Sequence, residues 1–121
     1  MKVVGATEYA LVLYRGKLPK FRNADADGQR HMVFNWFEWC KDSGKVYPKI
    51  HPSQKPISVL KRLIEIFTDP GDVVIDPCAG SGSTLRAARE LGRHSYGFEV
   101  SRDFYTKACA QMLGEVSDDK A

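Results

Sequence analysis

Residues 73–84 read Val-Val-Ile-Asp-Pro-Cys-Ala-Gly-Ser-Gly-Ser-Thr, and the fold follows from how that stretch must be laid out. Val73, Val74 and Ile75 form a short continuous apolar run, of the kind that serves as a strand buried on both faces of a parallel sheet. Asp76 and Pro77 end it, and Gly80 and Gly82 let the backbone turn tightly and come close to a ligand. A helix is predicted from about Ser83 to Leu91, stopped by Gly92, with its first amides free to bind an anionic group. Upstream, Ile57, Leu60, Leu63, Ile64 and Phe67 recur at three- and four-residue intervals. That spacing predicts an amphipathic helix with Pro56 at its first position, ending before Asp69, Pro70 and Gly71. Downstream, residues 94–99 (His-Ser-Tyr-Gly-Phe-Glu) predict a second strand. Ser101 then caps a last helix carrying Phe104, Tyr105, Ala108, Cys109, Met112 and Leu113. The order helix, strand, helix, strand, helix implies a right-handed, parallel α/β unit.

The chain has 121 residues, 43% hydrophobic and 27% charged, which fits one globular domain or a piece of one and excludes disordered, collagen-like and coiled-coil chains. No apolar run is long enough for a membrane span or an export signal, so the expected compartment is the cytoplasm. Cys40, Cys78 and Cys109 are odd in number and lack CxxC spacing; they are expected to be reduced and mostly structural, with no metal site. The formal net charge of +3 hides an asymmetry, because residues 1–62 carry twelve Lys and Arg against five Asp and Glu while the remainder carries six against ten. A basic front half suits a polyanion, and an acidic back half suits a ligand that is cationic or rich in hydroxyl donors. Solvated surfaces explain the same split equally well.

In the front half, residues 9–14 (Tyr-Ala-Leu-Val-Leu-Tyr) predict a strand closed by Gly16 and Pro19, followed by a basic loop of Arg15, Lys17, Lys20 and Arg22. Residues 23–30 are polar and predict an exposed turn. Phe34, Trp36, Phe37 and Trp39 form a dense aromatic patch that fits neither strand nor helix period; core is the favoured reading. Residues 41–55 predict an extended connection and residues 117–121 a frayed tail.

The chemistry-bearing residues cluster around the glycine turn. Glu99 lies 23 residues after Asp76, at the end of the next strand, where a carboxylate accepts bonds from both ribose hydroxyls. Turn, helix start and carboxylate together describe a nucleoside site. A dinucleotide fingerprint would place a third glycine where Leu85 stands, which weakens a nicotinamide or flavin reading, and a P-loop is excluded by the missing Gly-Lys-Ser/Thr.

Residues 76–84, preceded by His51-Pro-Ser-Gln-Lys-Pro56, closely resemble the paired cofactor motifs of the S-adenosylmethionine-dependent DNA amino-methyltransferases, in the permuted group whose catalytic motif precedes the cofactor motif. The resemblance implies a Rossmann-like methyltransferase fold, here a partial parallel sheet with flanking helices. It implies that Asp76, Pro77, Cys78, Gly80, Ser81 and Gly82 line S-adenosyl-L-methionine, that Ser83 and Thr84 sit near its carboxylate, and that Glu99 takes its ribose. Lys55 and Pro56, with His51 and Gln54, fall on the segment that closes over the methionine end. A methyl sulfonium on an adenosine and an amino acid asks for the same features: carboxylates for ribose and ammonium, and a helix N-terminus for the carboxylate. Cys78 departs from the Phe that many relatives place against the cofactor.

Methylating an exocyclic amine requires a group that accepts hydrogen bonds from it, for which the family uses an Asp/Asn/Ser-Pro-Pro-aromatic motif. The sequence contains no Pro-Pro, so no catalytic residue is assigned. By resemblance, residues 8–112 correspond to the C-terminal part of such an enzyme, with Met1 falling after the chemistry. The expected organisation is 1–50 as the end of the catalytic region with a DNA-facing segment, 51–116 as the cofactor region, and 117–121 as the tail. The implied function is methyl transfer to adenine N6 or cytosine N4 of a flipped base. DNA is the implied partner, with Arg15, Lys17, Lys20 and Arg22 on phosphates and the aromatic patch as an alternative contact or a face left bare. A separate polypeptide or an upstream segment would supply the catalytic motif. Rival readings are a non-catalytic module that binds S-adenosylmethionine or DNA, and a fragment of a nucleotide-binding oxidoreductase.

Overall fold

The computed structural model describes residues 8–17 and 21–114. Helix α1 spans Ile57–Phe67, strand β1 Val73–Asp76, helix α2 Ser83–Glu90, strand β2 His94–Gly97 and helix α3 Arg102–Lys107, which continues as a π-helical turn over Ala108–Leu113. The two strands pair in parallel, Val73 opposite His94 and Asp76 opposite Gly97. Both strand–turn–helix passes therefore put their turns at the same end of the sheet. The partial Rossmann-like α/β unit expected from the sequence is present in this order.

Packing follows the apolar spacing. Ile57 and Ile64, one stripe of α1, meet Ala87 and Ala88 of α2 and Met112 of the π-helical turn in the core. The two alanines lack bulk, so α1 and α2 approach closely over them. Tyr47, Ile50, Leu60, Val74 and Leu91 close the rim of this cluster.

The ends of α1 are held by residues remote in sequence. Pro56 is its extended N-cap rather than its first helical residue, and proline offers no capping side chain. Asp42 Oδ2 fills that role, accepting from Ile57 N at 2.8 Å. At the other end Arg22 N donates to Ile66 O, and its guanidinium reaches Phe67 O at 3.1 Å and Asp69 Oδ1 at 2.8 Å. Arg93 donates to Thr68 O and Leu91 O, tying the end of α1 to the end of α2. Phe21 stacks edge-on to Phe67 with centroids 5.5 Å apart.

Four further expectations change. Residues 9–14 form no strand: Tyr9, Leu11 and Leu13 are largely exposed, because the sheet among the described residues holds only β1 and β2 and neither takes 9–14 as a neighbour. Nor is β1 buried on both faces; Val74 packs on the core, but Val73 and Ile75, with Tyr96 of β2, stay more than half exposed. The aromatic residues at 34, 36, 37 and 39 do not enter the core, and Trp36 is 68% exposed, since the helix pair is already filled by aliphatic side chains. Strand β2 ends at Gly97 instead of Glu99, where the chain bends toward α3. The turn expected at 23–30 is present, with Ala24 bridged to Arg30 and the Asp25 carboxylate accepting from the amides of Asp27 and Gln29. Cys40, Cys78 and Cys109 are free thiols.

Gly97 is required by packing that no sequence period reveals. A Cβ there would lie 2.7 Å from Leu85 Cδ1 and 2.9 Å from Ala79 Cβ, inside contact distance. Gly97→Ala is expected to cost about 1–3 kcal/mol in chemical denaturation, as overpacking does. Gly44→Ala, where a Cβ meets nothing within 4 Å, should change stability by less than about 0.5 kcal/mol.

Glu90 locks α2 to its surroundings, accepting from Tyr47 Oη at 2.9 Å and pairing with Lys61 of α1 and Arg86. Burial alone would raise its carboxyl, but the bonds from Lys61, Arg86 and Tyr47 outweigh it and hold the group at about 2, against 4.5 when free. A depressed carboxylate stabilises the fold above its unfolded value and loses that contribution as pH falls toward the folded one. Acid titration followed by circular dichroism should show a loss of stability between about 4.5 and 2 that is reduced in Glu90→Gln. At neutral pH that variant should be about 1 kcal/mol less stable than the parent.

Candidate functional site

At the turn end of the sheet, residues 76–82 form a compact loop that holds itself open. Asp76 Oδ1 accepts from Cys78 N at 3.0 Å, Phe98 N donates to Asp76 O, and Ala79 N donates to Phe98 O. Gly80 and Gly82 have φ of +53° and +75°, a left-handed backbone that favours glycine. A Cβ on Gly82 would also press on Ala108 Cβ at 3.4 Å. The Ser81 and Ser83 hydroxyls are buried and bonded to each other at 2.7 Å. Helix α2 begins directly after the turn with no side-chain cap.

Glu99 spans this turn and the start of α3. Its Oε2 accepts from Gly80 N at 2.9 Å and its Oε1 from Ser101 N at 2.7 Å. Each carboxylate oxygen has a second lone pair, so both keep acceptor capacity for a ligand.

The facing wall is the segment 48–56. Gln54 fixes it, with Oε1 accepting from Ile50 N and His51 N and Nε2 donating to Pro48 O at 2.9 Å. The His51 ring lies on Phe104 with centroids 4.4 Å apart, and its Nδ1 accepts from Ser53. Lys55 Nζ bonds Glu8 Oε2 at 2.8 Å.

Between these walls is an open cleft of about 390 Å³. Of the residues expected from the sequence, Lys55, Asp76, Cys78, Gly80, Ser81, Ser83, Thr84 and Glu99 line it. Pro56 and Gly82 are buried behind it, and Pro77 is exposed outside it. His51 and Gln54 also line it, as do Ser53 and Leu60, neither of which the sequence marked as a site residue. Ser53 was discoverable in principle, because a serine two residues after a histidine can bond back to the ring.

The expected phosphate contacts are not gathered in the same way. Arg15 and Lys17 are exposed on the loop, Arg22 is bonded to Asp69 and the end of α1, and Lys20 lies outside the described residues. A second open cleft, of about 440 Å³, runs between α1 and the aromatic segment and includes Phe37, Trp39, Cys40 and Arg62. Among the described residues no group of three or more His, Cys, Asp or Glu could hold a metal ion, and no helix is long and apolar enough to cross a membrane.

A family model described as DNA methylase matches residues 2–110. Type II methyltransferase M.HindIII of Haemophilus influenzae is 47% identical over 62 residues, covering 51% of this chain and 20% of that protein. Type II methyltransferase M.BglII of Bacillus subtilis is 34% identical over 70 residues, covering 58% and 19%. The chain thus spans about a fifth of the length of these relatives. Among solved structures, PvuII DNA methyltransferase (cytosine-N4-specific) aligns with a TM-score of 0.50 at 23% identity, covering 60% of this chain and 25% of that one, a likeness of fold. The M1.HpyAVI–SAM complex aligns at 0.48 with 37% identity, covering 50% and 30%.

The clamp on Gly80 and Ser101 makes a direct prediction. Gln in place of Glu99 must turn its NH2 toward one of two backbone N–H donors, so Glu99→Gln should behave like Glu99→Ala rather than like a conservative change. Hydrogen exchange should show lost protection at the Gly80 or Ser101 amide in both variants, with stability lower by about 1–2 kcal/mol.

Proposed function

The chain belongs to the DNA methylase family, and from that premise we propose that it is the S-adenosyl-L-methionine-binding part of a DNA methyltransferase acting on an exocyclic amine, adenine N6 or cytosine N4. The observation that carries this reading is Glu99, held by two backbone amides beside Asp76 and the open start of α2 within one cleft.

The residues fit such a group on chemical grounds. Glu99 and Asp76 offer acceptors for ribose hydroxyls and an ammonium, while the uncapped first turn of α2, at Ser83 and Thr84, offers amides to a carboxylate. The left-handed Gly80 and Gly82 keep the turn free of side chains, and Cys78 adds an exposed thiol to the lining. Lys55 adds a cation at the cleft edge, steadied by Glu8. When bound, the cofactor supplies an electrophilic methyl group. This chain's residues hold and orient it and exclude water from one side.

In this reading the cleft residues hold the cofactor, and an upstream segment or a separate polypeptide would accept hydrogen bonds from the target amine. The basic front half, with Arg15, Lys17 and Lys20, would lie against the phosphates of DNA and position it without reading its sequence.

Calorimetric titration of the folded chain with S-adenosyl-L-methionine tests the reading. Saturable binding that weakens roughly tenfold or more in Glu99→Ala is expected, with no binding of a nicotinamide dinucleotide. Absence of binding by a demonstrably folded chain would overturn it.

A further inference from the structure

The second cleft joins a rigid wall to an irregular one. Ser58, Val59 and Arg62 line it from α1, at the three- and four-residue spacing that shares one side of a helix. Leu60 lies on the other side of α1, against the core and in the cofactor cleft, and the two clefts have no lining residue in common. Opposite α1 stand Phe37, Glu38, Trp39 and Cys40, from a segment without regular secondary structure. Phe37 and Trp39 remain 39% and 38% exposed, and Phe34 and Trp36 are more exposed still. The core is filled without them, and so many open aromatic rings in one segment mark a binding surface. Charge is unspent here too. Arg22, Lys55 and Lys61 are paired with carboxylates, whereas among the described residues neither Arg62 nor Glu38 has a hydrogen-bond or ion-pair partner on its side chain.

Two rings, a free guanidinium and a free carboxylate in one cleft narrow the class of ligand. An apolar peptide would cover Arg62 and Glu38 without pairing them. A phosphate alone would make no use of the rings and would be repelled by Glu38. A nucleotide uses every part: its base stacks on an aromatic face, its phosphate pairs with a guanidinium, and a carboxylate accepts from an exocyclic amine such as that of cytosine. The base has to be unpaired, because inside a duplex its faces and its edge are already taken. We propose that this cleft binds an unpaired base of a DNA strand, stacked on Phe37 and Trp39, with Arg62 on an adjacent phosphate and Glu38 favouring bases that carry an amine. The choice of DNA rests on the reading of the chain as part of a DNA methyltransferase. A base to be methylated must meet the cofactor cleft, so the one held here is another base of the strand.

The two tryptophans of the chain, Trp36 and Trp39, both lie in this segment, so intrinsic fluorescence reports on it. Oligo(dC) titrated into the full chain should quench the emission saturably, with quenching kept in Trp36→Phe and largely lost in Trp39→Phe. An abasic strand of equal length carries the same phosphates without bases and should bind the parent chain roughly tenfold more weakly or worse. Arg62→Gln, a change on the exposed side of α1, should weaken oligo(dC) and reduce the slope of log affinity against log salt by about 0.7. Oligo(dT) should bind less tightly than oligo(dC), a difference that Glu38→Ala removes. Equal binding of abasic and intact strands by the parent chain, which no folding defect can mimic, would overturn the proposal; so would quenching that survives Trp39→Phe and is lost in Trp36→Phe. S-adenosyl-L-methionine titrated into the same sample separates the two failures. Cofactor binding with no preference for bases over bare phosphates overturns this site alone, whereas base-dependent strand binding without cofactor binding overturns the reading of the first cleft and upholds this one.

Discussion

Two backbone amides from different parts of the chain, those of Gly80 and Ser101, converge on one carboxylate, and the functional end of the molecule is organised by that convergence. Neither amide has a place in the β1–β2 ladder or inside a helix. Without Glu99 each would need water or another acceptor. The carboxylate joins the turn after β1 to the turn after β2, and so sets the spacing of the two walls from which α2 and α3 depart. Asp76 repeats the device locally, drawing Cys78 N back onto its own side chain. A turn made of small residues with left-handed glycines has little packing to define it; its shape comes from these acceptors.

Much of the back half was legible because its signals are local. The 3- and 4-residue spacing of α1, the apolar run before Asp76, the glycines at 80, 82 and 92 and the Ser101 cap all act within a few residues, and the elements fall within one or two positions of their expected bounds. The motif pair brought Lys55 and Glu99 into one cleft across 44 residues, which spacing alone could not do. What stayed hidden depends on contacts distant in sequence. Asp42 capping α1, Arg22 and Arg93 closing its far end, and Gly97 making room for Leu85 leave no periodic trace. Residues 9–14 have strand composition, but a strand needs a neighbour as well as a propensity. None pairs with them among the described residues.

The charge asymmetry also changes meaning once partners are known. Several basic residues of the front half are occupied internally: Arg22 by Asp69, Lys55 by Glu8 and Lys61 by Glu90. The positive charge left to face a polyanion is therefore smaller than the count suggests. Hydrophobicity is unbalanced in the opposite sense. Val73, Ile75, Tyr96 and Phe98 give the sheet a second apolar face, while the described helices cover only the first. A strand apolar on both sides is sequence suited to two covers.

The division of labour in the cleft follows from parallel topology. When β1 and β2 run the same way, their C-terminal ends and the start of α2 meet at one edge, so strand-end carboxylates and helix-start amides stand side by side. That arrangement suits any ligand carrying both hydroxyl or cationic groups and an anionic group, and it does not choose among them. Selection has to come from the opposite wall, which the topology does not dictate. The segment 48–56 contains three prolines, each of which removes a backbone donor and stiffens the chain, and Gln54 supplies side-chain bonds where a regular element would have used backbone ones. Its rigidity is built from side chains, and for that reason a histidine two residues from a serine can be held there in one orientation.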